Sequence, residues 1–109
     1  MLKNLKFDYD EKNDLLYLYN DLEYESSIDW YGLVIDFSRD RIIKGTEITD
    51  ASIFFSELTN KTISKTDLKT IVKSFIDVRE TRNSFHVNVG VELKDNSLFE
   101  IPIMIPNNI

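Results

Sequence analysis

Hydrophobic and polar positions alternate with a period of two over much of this chain. Leu5, Phe7 and Tyr9 alternate with Lys6, Asp8 and Asp10, the pattern of a half-buried strand. Asp10 to Asp14 is a run of turn formers, after which Leu15 to Tyr19 resumes the strand pattern, so the two runs predict a hairpin. The second strand carries apolar or aromatic groups on both faces, which predicts a central position or a cover supplied by a helix or a partner chain. Asn20 to Ser27 is polar and acidic and is expected to be a loop from which Tyr24 can dip into the core. A second strand pair is expected at Leu33–Phe37 and Ile42–Ile48 around a turn at Ser38–Arg41. The adjacent Ile42 and Ile43 leave its register open, and a bulge near Gly45 is one solution.

Helical signals follow. Asp50 or Ser52 is placed to cap a short helix with Ile53, Phe54 and Leu58 on one side. Ser64 and Asp67 form a capping-box pattern, and Leu68, Ile71, Val72 and Phe75 follow it at helical spacing, although Val72 to Arg82 also alternates like a strand. The cleanest alternation is Phe85, Val87, Val89, Val91 and Leu93. A tight loop at Asp95–Ser97 follows, then Phe99, Ile101, Ile103 and Ile105. Pro102 lacks an amide hydrogen, which either places that last strand at a sheet edge or turns that amide position outward. The predicted class is α+β: antiparallel hairpins and meanders with two short central helices packed on the sheet, in the order ββββ-αα-βββ. One domain is expected over residues 1–109, divided into 1–58 and a helix plus C-terminal meander over 59–109.

Length and composition narrow this picture. A chain of 109 residues, 42% hydrophobic and 29% charged, buries roughly two-thirds of its unfolded surface in one core. Cysteine is absent, which excludes disulfides and thiolate chemistry. No apolar run approaches the roughly 20 residues that span a bilayer, so a soluble, cytoplasmic protein is expected. A net charge of −6 and a pI near 4.7 repel phosphate backbones and anionic lipid, which argues against nucleic-acid and membrane partners. Lys61, Lys65, Lys69 and Lys73, with Arg79 and Arg82 beyond them, are the one basic spacing and are expected on the solvated side of a helix.

Candidate chemistry is sparse. Asp8, Asp10, Asp14, Asp36, Asp40, Glu47 and Asp50 are the one dense acidic collection, and Asp10, Asp14, Asp36, Asp40 and Glu47 motivate a metal-assisted hydrolase as the alternative function. Asp10, Asp14 and Asp40 also sit where turns favour aspartate. His86 is the sole histidine, and Gly32, Gly45 and Gly90 are too scattered for a phosphate loop, so no cofactor is expected. Tyr17, Tyr19, Trp30, Tyr31, Phe99, Ile101 and Ile103 are the candidates for an interface with a second copy or a small protein partner.

One resemblance extends these expectations. Tyr9-Asp10, Asp14, Leu16-Tyr17, Val34-Ile35-Asp36-Phe37, Asp40, Ile43, Gly45, Glu47-Ile48 and Asp50-Ala51-Ser52 resemble the domain-of-unknown-function family 2283, a group of small prokaryotic proteins. The likeness covers about residues 7–52 and departs from the family pattern at Arg41, Lys44 and Thr46. It implies a small β-sheet packed by a helix and carries over no catalytic residues; members encoded beside small toxin-like proteins imply a binding role. Strand surface in excess of what two short helices can hide points the same way. The expected function is a non-catalytic interaction or self-associating module.

Overall fold

The computed structural model describes residues 2–30, 32–39 and 42–106. Strands β1 (Leu2–Asp10), β2 (Leu15–Tyr19), β3 (Ser26–Trp30), β4 (Leu33–Phe37) and β5 (Ile43–Ile48) come first. Helices α1 (Ala51–Thr59) and α2 (Lys65–Leu68) follow, and then β6 (Ile71–Glu80), β7 (Ser84–Leu93) and β8 (Leu98–Pro106). All eight strands form one antiparallel sheet in the order β3-β4-β5-β2-β1-β6-β7-β8.

The corner of this sheet is β1. Its first residues, Leu2 to Leu5, pair with β6, and its last, Lys6 to Asp10, pair with β2. A strand that changes partners along its length lets a twisted sheet turn back on itself. Ser74, buried at that junction, donates its hydroxyl to the Leu5 carbonyl at 2.9 Å. The sheet therefore curls into a half-barrel whose inner face is its own core. Leu5, Ile35, Ile43, Ile76, Val87, Val89 and Ile103 meet across the interior. At one end Phe55 of α1, with no exposed surface, packs on Phe99 of β8 with ring centroids 5.8 Å apart.

This architecture corrects the expected α+β class. The chain is largely β, five strands precede the helices, and the apolar strand faces are covered by the curl of the sheet itself. Phe99, Ile101 and Ile103 are core residues inside the half-barrel, so they present no surface to a partner. The helical spacing of Ile71, Ser74 and their neighbours comes from a β-bulge. The register of β6 on β7 slips between Ile71 and Lys73, leaving Val72 and Lys73 both exposed between two buried positions. Two consecutive outward residues give a strand the three-residue spacing of a helix. Consequently α2 stops at Leu68, and Lys61, Lys65, Lys69 and Lys73 do not share a helix face; Lys69 instead pairs with Glu11 at 3.4 Å.

Other corrections are local. Ser26 and Ser27, expected in a loop, begin the edge strand β3. On α1 the buried residues are Ala51, Ser52 and Phe55, while Ile53 and Leu58 are exposed. The open register resolves as Leu33 opposite Ile48 through Asp36 opposite Gly45, followed by a shift that sets Phe37 opposite Ile43. At Gly45 a side chain would strike the Leu18 carbonyl and Tyr19 Cα of β2, so the strands could not approach as they do. Pro102 lies on β8, at the margin of the sheet.

Candidate functional site

The acidic residues of the sequence are divided among separate places. The first is a lock between the β1–β2 turn and α1. Asp14 ends the turn in the left-handed conformation (φ 53°) and is buried. Its carboxylate accepts the Ser52 amide (3.0 and 3.2 Å), the Ser52 hydroxyl (2.6 Å) and the Tyr9 hydroxyl (2.6 Å), and its carbonyl accepts the Ala51 amide at 2.9 Å. Asp50, the residue before the helix, is itself left-handed and makes no side-chain cap. Asp14 therefore supplies from 38 residues away the acceptors that a helix start ordinarily takes from its own N-cap. Burial pushes the Asp14 carboxyl up, but the Ser52 and Tyr9 hydroxyls, the Ser52 amide and Lys65 together hold it below the ordinary carboxylate value. Tyr9 moves the other way, raised by burial and then by its bond to Asp14.

The second place is the outer face of β2, β4 and β5. Glu47 stands opposite both Tyr17 and Val34, and Asp36 opposite Gly45, so the two carboxyls approach diagonally across β4 and β5. Asp36 is only 2% exposed although it faces outward. Burial, and then the neighbouring Asp36, raise the Glu47 carboxyl above its ordinary value. Two carboxyls that close cannot both ionise cheaply, which is why the second carboxyl adds to the effect of burial on Glu47. Tyr17 and Tyr19 stack beside it with ring centroids 4.7 Å apart. The Lys44 ammonium lies 5.9 and 5.5 Å from their centres and donates to the Asn20 carbonyl at 2.8 Å.

The third feature is a cleft where the two margins of the curled sheet approach each other. Glu25, Ser26, Ser27 and Ile28 from the β3 side, Phe37 and Ser38 from the end of β4, and Phe85 and Ile105 from β7 and β8 line a cavity of about 240 Å³. Its floor is apolar and aromatic and its rim carries hydroxyls and one carboxylate. At its edge the Ser27 side chain turns to the outer face, where it stands opposite Asp36. Its hydroxyl donates to Asp36 Oδ1 at 2.7 Å and lies 2.9 Å from the Tyr24 hydroxyl. No sequence signal marks this cleft, because its walls lie about 60 residues apart along the chain and meet only through the curl.

The candidates read from sequence fall as follows. Asp10 accepts from the Asn13 amide and side chain at 3.2 and 2.7 Å, as turn chemistry expects, and Asp14 belongs to the lock. Asp36 and Glu47 are together; Asp40 and Tyr31 lie outside the described residues. Among the described residues no three His, Asp or Glu side chains are grouped to hold a metal. Tyr17 and Tyr19 share the outer face with the carboxyl pair, and Trp30 is half-buried at the end of β3. Phe99, Ile101 and Ile103 are in the core. Among the described residues no helix is long and apolar enough to cross a membrane.

No family model matches this chain, and no solved structure matches it. A curated relative does. The chain is 39% identical over 98 residues to a Methanosarcina mazei protein named "Putative hypoxanthine phosphoribosyltransferase", the match covering 87% of this chain and 74% of that protein. A relative that carries an enzyme's name overturns the expectation of a non-catalytic interaction module. The metal-assisted hydrolase falls with it, since its five acids are dispersed over a turn, a helix lock and an outer face, with Asp40 outside the described residues. On identity and coverage together, this chain belongs to the family of that Methanosarcina mazei protein.

Proposed function

We propose that this chain is an enzyme that handles an oxopurine base, with the ring held in the cleft between the sheet margins. One observation carries this proposal: the cleft brings the rings of Phe37 and Phe85 together with hydroxyl and carboxylate groups at its rim. Pockets that enclose drug-sized ligands run from roughly 300 to 1,000 Å³, so a cavity of about 240 Å³ suits one heterocycle and not a whole nucleotide. Phe37 and Phe85 offer aromatic surface to a flat ring, and Ser26, Ser38 and Glu25 offer hydrogen bonds to its edge. An oxopurine presents both acceptors and an N–H donor. The Ser38 hydroxyl can donate or accept and the Glu25 carboxylate accepts, so the rim answers both.

The name of the relative supports hypoxanthine as the base to test first. The described helices offer no cradle for the phosphates of a phosphoribosyl donor. The N-terminus of α1 is filled by Asp14 and that of α2 by its own capping box of Ser64 and Asp67, so neither turns its amides toward an added anion. The base end of the reaction is therefore the end assigned. We also read the likeness of residues 7–52 to the domain-of-unknown-function family 2283 as a likeness of fold, because Tyr9, Asp14, Ala51 and Ser52, which help carry it, are the members of the lock.

Calorimetric titration with hypoxanthine tests the proposal, alongside an assay for inosine monophosphate formed from hypoxanthine and 5-phosphoribosyl 1-diphosphate in magnesium buffer. Saturable binding that weakens in Phe85→Ala and Ser26→Ala, with product formed by the wild type, is the expected result. Binding without product removes the transfer step, and a wild-type protein that does not bind hypoxanthine at all removes the base site.

A further inference from the structure

The two margins of the curled sheet differ in what they offer a further strand. At one margin β8 carries Pro102 and Pro106, which have no amide hydrogen to give. At the other, β3 has β4 as its one strand neighbour among the described residues, and it contains neither proline nor lysine, the residues that commonly block a sheet edge. Its far side therefore presents backbone donors and acceptors to another extended chain. Ile28 stands opposite buried Ile35 and Trp30 opposite buried Leu33, so both belong to the inner face, yet at this margin each is only half-buried. Ser27 and Asp29 alternate with them, face outward and are exposed.

Charge selects the occupant. No lysine or arginine occurs from Asn13 to Ser38, whereas Asp29 on β3 and Glu23 and Glu25 just before it are exposed. Lys6 pairs with Asp21 at 2.7 Å, and among the described residues no other cation is paired with this segment. Asp29 accepts the Gly32 amide at 3.3 Å, a bond that leaves its negative charge in place. Tyr24, exposed and with its hydroxyl 2.9 Å from that of Ser27, brings an aromatic ring to the same edge, a surface suited to a cation. A second copy does not fit here: its β3 would set acid against acid, and its β8 would bring the prolines. We propose that the free edge of β3 binds an extended basic segment of another protein, one that alternates lysine or arginine with apolar residues and adds to the sheet as a further strand. Main-chain bonds supply affinity in such an addition and alternate side chains supply selectivity. The basic side chains then lie on the outer face beside Asp29, and the apolar ones extend the inner face beside Ile28 and Trp30. The inference does not rest on the proposed base site, and its test contains no purine.

Trp30 is the sole tryptophan, so its emission follows events at this edge. The probe is a capped peptide of about seven residues, an ordinary strand length, in which lysine alternates with valine. Two comparison peptides are used, one with the same lysines and valines gathered into two blocks and one with glutamate in place of lysine. A saturable change with the alternating lysine peptide is expected, weaker by about tenfold or more for the block peptide, and reduced severalfold when salt is raised from about 50 to about 500 mM. In the double variant Glu23→Lys, Asp29→Lys the preference is expected to reverse, so that the glutamate peptide binds more tightly than the lysine one; a gain of binding cannot come from a misfolded variant. Overturning results are no saturable response to the alternating lysine peptide, an equal response to the block peptide, or a double variant that keeps the original preference. Trp30 emission that shifts with protein concentration alone would put a second copy on the edge and overturn the proposal as well.

Discussion

Asp14 and Glu47 are both acidic side chains held by the N-terminal strands, yet their surroundings drive them in opposite directions. Every side-chain partner of Asp14 is a donor, two hydroxyls and an amide, so its charge is met in full and its carboxyl titrates below the usual range. Glu47 is met by burial and by a second carboxyl, so it titrates above. The first arrangement stabilises the fold wherever the acid is ionised. The second leaves Glu47 with its charge opposed rather than met, on a face that also carries stacked tyrosines. A dense run of acids in a sequence thus contains two kinds of carboxylate that only their neighbours tell apart.

Removing Asp14 breaks the comparison most severely. Asp14→Ala leaves the Ser52 amide and hydroxyl and the Tyr9 hydroxyl without their acceptor, and a loss of about 3 kcal/mol in urea unfolding is expected. The sign with pH follows from the lowered folded value. The contribution of Asp14 is complete above its unfolded value near 3.8 and is lost as pH falls through the folded one, so Asp14→Asn should flatten the acid limb of the stability curve. A variant as acid-labile as the wild type would show that Asp14 is not the group being titrated.

Ser52→Ala tests one strand of the same lock. It removes the 2.6 Å hydroxyl bond but keeps the amide bond, so a smaller loss of about 1–2 kcal/mol is expected. Equal losses for Ser52→Ala and Asp14→Ala would place the whole effect in the hydroxyl.

The smallest effect and the opposite sign belong to Glu47→Gln. A raised folded value means that the contribution of the acid is present below its unfolded value near 4.5 and is lost as pH rises through the folded one. At pH 7 the amide should therefore raise stability, by less than about 1 kcal/mol at this half-exposed position, and the gain should vanish in acid. A destabilised variant at pH 7 would mean that Glu47 is satisfied as a carboxylate, and its contrast with Asp14 would disappear.

Legibility of the fold followed the range of each interaction. The capping box at α2 was readable because Ser64 and Asp67 complete it within three residues: Ser64 accepts the Asp67 amide at 3.1 Å and Asp67 accepts the Ser64 amide at 2.9 Å. The cap of α1 was not, because Asp14 lies 38 residues from Ser52 and looks in sequence like one more turn aspartate. The β7 and β8 alternation was readable because one face of each strand is continuously buried. The bulge in β6 hid a strand behind helical spacing. Of the candidate site, Asp36, Glu47, Tyr17 and Tyr19 could be named individually, but neither their clustering nor the cleft could.

By itself, then, the sequence determined the strands with regular alternation, the local turns and the α2 cap, since these depend on neighbours a few positions away. Only the tertiary structure decided that β1 changes partners halfway along and so joins both β regions into one curled sheet. That choice buries the inner apolar face in the sheet's own curl and brings Phe37 to Phe85, while the β4–β5 register sets Asp36 beside Glu47. The physical reason is that a period-two pattern records which face of a strand is buried and is silent about what buries it.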